Sequence, residues 1–319
     1  MLILSAITSG LRKKSTTMKK IKVYQIDAFT KEKFKGNPAG VVLNADDLSE
    51  KEMQDIAREL NNSETAFILQ GEPGVFDLHV RYFTPTVEVP SCGHATIAAM
   101  YVYAYCHALP ASVLHIKTGA GILKIELLKT TDDYEVIMEQ GNINIEVPLE
   151  KSLADQVVAA LGITSQDIDS EHPVQVVGTG HSKVMIPLKN RETIDAMQPD
   201  LVELAKLSGI INCNGYFPFT LVQDKPEYIS YGRMFAPAIG INEDPVTGNA
   251  NGPLGAYLVH HQLVNSNSVN DFEFIAKQGD AMGRPGSMKV AVSIIDRKPV
   301  KVKIKGSAII LFKTEIRIN

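Results

Sequence analysis

The chain is short of cysteine, of long apolar runs and of charge of one sign, and each shortage closes off a class of protein. Its three cysteines, Cys92, Cys106 and Cys213, are too few and too scattered for a disulfide framework or for paired CxxC zinc ligation. A reducing, cytoplasmic setting is therefore expected. No apolar stretch approaches the ~20 residues that a membrane-spanning helix needs. Lys and Arg number 32 against 36 Asp and Glu, a formal net charge of −4 over 319 residues, so no electrostatic bias favours nucleic acid or an anionic membrane surface. Walker A, GxSxG and HExxH patterns are all missing. GTGHSK at 178–183 is glycine-rich, but a strand pattern follows it where a dinucleotide site needs a helix. His260 and His261 are adjacent on a predicted helix and point apart, which does not make a metal pair. No metal and no cofactor is required by any residue pattern.

What is present fits a soluble globular protein, with 45% hydrophobic and 21% charged residues and enough length for two domains. Residues 1–17, MLILSAITSGLRKKSTT, are basic, hydroxyl-rich and free of acids. They fit either a transit peptide or a disordered extension upstream of a functional start at Met18, and are set outside the fold. The remainder contains an echo. RYFTPTVEVPSCGHAT begins at Arg81 and RMFAPAIGINEDPVTGNA at Arg233; both open Arg-x-Phe-x-Pro and end in a glycine-containing turn before an Ala-rich run. Phe67 and Phe219 precede the two arginines by the same 14 residues. Such a duplication places equivalent strand-to-helix turns across a pseudo-twofold axis, with the natural site between the halves.

Periodicity fills in the elements. Ser49 and Glu52 form a capping-box pattern ahead of Met53, Ile56, Ala57 and Leu60 at helical spacing. Phe76, Leu78, Val80 and Tyr82 alternate with Asp77, His79 and Arg81, as in a half-buried strand. The run from Gly93 to about Cys106 is apolar nearly all round, which predicts a helix buried inside a lobe. A second such helix is expected from about Gly248 to His261, and a more ordinary one from Pro199 to Leu207. Strands adjoin strands more often than helices separate them, so mixed sheets wrapped around one buried helix per lobe fit better than a doubly wound parallel sheet.

Several residues have chemical potential. Glu64, in NNSETAF, lies where an apolar strand begins, and a carboxylate against apolar walls gains proton affinity and can shuttle a proton. Cys92, Gly93 and His94 sit at the start of the first buried helix, and Asp244 to Asn249 at the matching place in the second half. Unsatisfied N–H groups at helix starts favour an anion, so either turn would hold a substrate carboxylate or stabilise an enolate. A helix start also lowers a thiol pKa, which would make Cys92 a proton-transfer thiolate; packing is the alternative role. The opposite turn offers no cysteine, so a two-thiol racemase lacks half its apparatus.

Taken together, DAFTKEKFKGNPAGVV, ARELNNSETAF, the RYFTP and CGHAT pair and EDPVTGNANGPLGAYL resemble the PhzF family, over nearly the whole chain from Lys20. The resemblance implies an α+β, diaminopimelate epimerase-like fold: two pseudo-symmetric lobes, each a mixed, barrel-like sheet around a central helix. On that plan residues 18–143 with the strand 308–319 form the first lobe and 144–307 the second, usually in a homodimer and with catalysis in the interlobe cleft. It further implies a cofactor-independent isomerase acting on a small carboxylated metabolite. Glu64 matches the acid/base glutamate, His94 and Asp244 the residues flanking it, and Gly93, Gly248 and Asn249 the turn positions that grip the substrate. Cysteine at position 92 departs from the phenazine enzyme, which carries another residue there. A one-cysteine epimerase, racemase or dehydratase using Cys92, and a non-catalytic binding module, are the competing readings.

Overall fold

The computed structural model describes residues 18–222, 225, 227–264 and 271–318; the basic segment 1–17 lies outside them. The chain opens with β1 (Lys19–Ala28), β2 (Asn37–Val42), α1 (Glu50–Leu60), β3 (Thr65–Glu72), β4 (Phe76–Phe83), β5 (Glu88–Val89) and α2 (Gly93–His107). Next come β6 (Ser112–Thr118), β7 (Gly121–Lys129), β8 (Tyr134–Glu139), β9 (Ile143–Pro148), α3 (Lys151–Ala160), β10 (Gln175–Thr179), β11 (Ser182–Pro187), α4 (Arg191–Ala196) and α5 (Leu201–Ile211). β12 (Tyr216–Leu221), β13 (Ser230–Gly232), β14 (Met234–Ala236), β15 (Ile241–Asp244) and α6 (Gly248–His260) follow. The chain then closes on β16 (Asp271–Gln278), β17 (Gly286–Ile295), β18 (Lys298–Gly306) and β19 (Ala308–Ile318).

Strand pairing shows the duplication directly. One set lies in the spatial order β19, β1, β2, β3, β4, β6, β7, β8. The other runs β9, β10, β11, β12, β13, β16, β17, β18. Read in that order, both sets alternate in the same way: antiparallel twice, parallel, antiparallel, parallel, then antiparallel twice. β8 pairs antiparallel with β18 and joins the two sets. α2 packs against β1, β2, β3, β8 and β19, and α6 against β9, β10, β11, β17 and β18. This is the α+β plan of two lobes, each wrapped on one central helix, that the sequence led us to expect.

Local chemistry explains the helices. Ser49 accepts from the Glu52 N–H while the Glu52 carboxylate accepts from the Ser49 N–H, the reciprocal capping expected of α1. α1 ends at Asn61 in the left-handed region, φ 50°. α2 has no polar stripe because its surroundings are apolar; ten of its residues, from His94 to Ala104, are buried. α6 is glycine-rich for a packing reason. A Cβ on Gly255 would lie 2.8 Å from methyl carbons of Val290 and Val292, so a side chain there would push the helix off its sheet.

Sequence periodicity missed two helices. α3 has no side-chain cap at Glu150, and α4 is a short segment capped by Asn190. α5 begins later than expected, at Leu201, because the Asp200 carboxylate accepts from the Val202 and Glu203 N–H groups. Together α3 and α5 cover the outer face of the second sheet, packing Val157, Leu204 and Leu207 against Val184 and Ile186.

The lobes are latched beside the site. Arg284 donates to the Asp27 carboxylate at 2.5 Å and to the carbonyls of Lys35 and Gly36 at 3.0 and 2.9 Å. The Gly36 N–H donates to Pro285 O, and Ser287 N–H to Phe29 O. Gly36 is followed by Asn37, so the latch also sets that side chain against the second lobe.

Candidate active site

Both central helices begin without a side-chain cap. Cys92 before α2 and Thr247 before α6 are extended, and neither caps its helix with its own side chain, which leaves first-turn N–H groups for a ligand. A Cβ on Gly93 or Gly248 would meet nothing nearer than 3.6 or 3.8 Å. Protein packing therefore does not demand either glycine; their lack of a side chain keeps the helix ends open. Asn249 is half-buried in the first turn of α6.

Around the α2 start, Glu64 comes from the residue before β3, and Cys92 and His94 from the helix entry. His94 Nε2 is 3.4 Å from Glu64 Oε2 and 3.2 Å from Ser63 Oγ; Nδ1 is 3.4 Å from Cys92 Sγ. Glu64 Oε2 is buried and has no hydrogen-bond partner among the described residues. Burial pushes the Cys92 thiol well above its ordinary value, and the neighbouring Glu64 carboxylate pushes it further. This corrects the helix-start argument, which predicted a lowered thiol: desolvation and a nearby negative charge outweigh the backbone dipoles.

The second lobe answers with a carboxyl held by neutral donors. Asn37 Nδ2 donates to Asp244 Oδ1 at 2.8 Å and to Val246 O at 2.9 Å, and the Thr247 hydroxyl donates to Asp244 Oδ2. Gln278 donates to Asp244 O at 2.7 Å and accepts from the Thr247 N–H at 3.1 Å and Asn251 Nδ2 at 3.0 Å. Burial raises the Asp244 pKa; His94 and the two donors pull it back, while Glu64 adds to the rise. Each group therefore feels the charge across the cleft. Of the sequence-predicted residues, Glu64, His94 and Asp244 come together between the two helix starts, where Gly93, Gly248 and Asn249 also lie. The sequence reading gave no role to Asn37, Ser63, Thr247, Asn251 and Gln278. GNPAG pointed to the Asn37 turn, but its partner Asp244 lies 207 positions away.

Glu64, Cys92 and His94 could also offer one ligand atom each, all within 4.8 Å of one another, to a soft divalent ion. Doing so would consume the free carboxylate oxygen and require the thiol to lose a proton that burial holds. The site is nearly closed: the side chains of His94 and Glu64 are 8% and 12% exposed. A groove of about 830 Å³ lined by Phe29, Glu135, Tyr228, Lys289 and Ser307 lies elsewhere and contains none of these residues. No helix among the described residues is long and apolar enough to cross a membrane.

Comparison with known proteins agrees with the geometry. The chain matches the family model described as phenazine biosynthesis-like protein over residues 26–314. It is 53% identical to an uncharacterized isomerase of Clostridium acetobutylicum, over 95% of this chain and 100% of that protein. The crystal structure of a Bacillus anthracis PhzF-family phenazine biosynthesis protein superposes with a TM-score of 0.85 at 32% identity, covering 94% of this chain and 100% of the other. A hydroxyproline epimerase from Agrobacterium vitis, solved with trans-4-hydroxy-L-proline, shares the fold at a TM-score of 0.60 and 12% identity, over 94% and 92% of the two chains. With its paired helix starts, its interlobe acid and imidazole, and these matches along nearly its full length, the chain belongs to the PhzF family.

Proposed function

We propose that the protein is a cofactor-independent isomerase that moves a proton on a small carboxylate-bearing substrate, with Glu64 as general acid/base. The observation that carries this reading is the buried Glu64 Oε2, left without a hydrogen-bond partner between two uncapped helix starts. An acceptor in that position is ready for a substrate C–H proton. Glu64 takes the proton from one carbon, and the charge that develops on the adjoining oxygen faces helix-start N–H groups. Glu64 then returns the proton to another carbon on the same face, so one carboxylate serves as base and acid in turn. His94 Nε2, 3.4 Å from Glu64 Oε2, faces the same region. The isomerase name carried by the Clostridium relative supports the reaction class.

The raised thiol at position 92 counts against a Cys92-based epimerase, since a protonated, buried thiol is a poor base. The α6 start supplies Thr247 where α2 has Cys92, so no second thiol faces the first. The test is incubation in D₂O with a panel of small cyclic and acyclic carboxylates, followed by NMR. Wild type should incorporate deuterium into one compound, and Glu64→Gln should fold normally without doing so. Full exchange by Glu64→Gln would remove the assignment.

A further inference from the structure

The duplication identifies what the second lobe carries where the first carries its base. β2 and β3 run parallel, as do β11 and β12, and each pair is closed by an equivalent backbone bond: Gly40 N–H to Glu64 O at 3.3 Å, and Val184 N–H to Gly215 O at 2.9 Å. By this register Gly215 is the counterpart of Glu64, and Lys183 the counterpart of Ala39. The sequence echo had matched Phe67 with Phe219, but Phe67 packs outward with α1 and Phe219 inward with α6. The structural correspondence is one residue shorter.

Lys183 is an unusual occupant of its position. It is 3% exposed, and on β11 it shares a face with Met185, which packs in the α6 core, while Val184 and Ile186 face the outer helices. Its ammonium has three donors and, among the described residues, a single hydrogen bond, to the carbonyl of its own neighbour Ser182 at 3.3 Å. Gly215 makes room for its stem, because a Cβ there would come within 3.3 Å of Lys183 Cδ and 2.6 Å of Phe235 O. Asp244 is the carboxylate that acts on Lys183, the Cys213 thiol is nearby, and His181 lies beside it in the β10–β11 turn. Asp244 in turn holds Thr247, the residue that precedes α6. A buried cation with one acceptor among the described residues thus packs against the glycine that stands where the first lobe has Glu64, an arrangement that favours an anion.

We propose that Lys183 is a substrate-binding residue that pairs with an anionic group of the substrate, a carboxylate, at the α6 side of the cleft, opposite Glu64. The assignment rests on the proton-transfer reading and narrows it: substrates carry a negative group placed to reach the second lobe while the reacting carbons face the first. Neutral analogues would leave the ammonium uncompensated and are rejected. Burial lowers the Lys183 pKa to about 8, so the pairing weakens as pH rises past that value.

The test measures binding of acetate, malonate and succinate to the whole protein by calorimetry at pH 7, in wild type, Glu64→Gln and Lys183→Met. At least one probe should bind wild type and Glu64→Gln with comparable affinity. Lys183→Met should bind it at least tenfold more weakly, while its unliganded Tm stays at or above the wild-type value, because an under-compensated buried charge has been removed. Unchanged affinity in Lys183→Met overturns the proposal, as does failure of all three probes to bind. Weaker binding accompanied by a lowered Tm also overturns it, since that marks a structural lysine. Binding is read in a variant that lacks the proton carrier, so failure of the exchange chemistry and failure of the anion contact are distinguishable.

Discussion

At the start of α2 the chain places a thiol, an imidazole and a carboxylate within 4.8 Å of one another. At the start of α6 it places a carboxyl, a hydroxyl and three side-chain amides, one of them Asn37 from the first lobe, in one hydrogen-bonded network. The strand plans are the same down to the order of parallel and antiparallel pairs, so the difference at the two helix starts lies in side chains. The two cradles differ in what they hold: the first lobe has Glu64 where the register of the second has Gly215, and under the proposed chemistry that asymmetry favours one-face transfer over two-base inversion.

The sharpest way to break this comparison is Glu64→Gln. We expect deuterium exchange to fall about 10³-fold, within the range of general acid–base catalysis, with an unchanged circular dichroism spectrum; a residual rate within tenfold of wild type would place the base in the other lobe. The arginine pair tests whether the lobes are equally rigid. Arg233 is 9% exposed, holds Glu243 at 2.8 Å and donates to the carbonyls of Ile194 and Met197. Arg81 is 21% exposed and holds Glu88 and Glu50 at the surface. Arg233→Ala should cost about 3 kcal/mol in urea denaturation, and Arg81→Ala about 1 kcal/mol or less. Equal costs would show that burial does not separate them.

Asp244→Asn sharpens the contrast through pH. The folded protein keeps the Asp244 proton to higher pH than the unfolded chain, whose reference value is 3.8. Ionisation therefore removes stability as pH rises through the interval above 3.8, and the loss is complete above the folded pKa. Asp244→Asn should melt above wild type at pH 7, with the gap closing as pH falls toward 3.8, and should exchange deuterium more slowly. A lower Tm at pH 7 would mean that the ionised carboxylate is a net stabiliser. The smallest effect is expected at Cys92→Ala, within about threefold of wild-type exchange, since burial holds the thiol protonated and a protonated thiol is a poor base. Inactivation there would restore the thiol base.

Much of this was legible in the sequence because it is local. The α1 capping box, the apolar α2 and α6, and the Arg-x-Phe-x-Pro echo each declare themselves within a few residues. The two helix-start turns stood out as places for chemistry, and the roles offered for Glu64, His94 and Asp244 came from the family resemblance. What was not legible depends on distant partners. Asn37 meets Asp244 across 207 positions, and Gln278 is an unmarked strand end. Cys92 shows the same limit from the other side: its helix-start position predicts one protonation state, and the burial and charge around it impose the opposite one. Lys183 reads as part of an undistinguished glycine-rich turn until the register of two strand pairs is compared.

One further consequence belongs to synthesis. β19 pairs with β1 along its length, from Lys19 opposite Ile318 to Ala28 opposite Ala308, so the sheet of the first lobe is completed by a strand made after those of the second. At ~5–20 residues per second, the nascent first lobe waits on the order of ten seconds or more with one edge of its sheet open. A ribosome stalled before β19 would expose the free edge of β1, whose other edge pairs with β2, to chaperones or to a neighbouring copy.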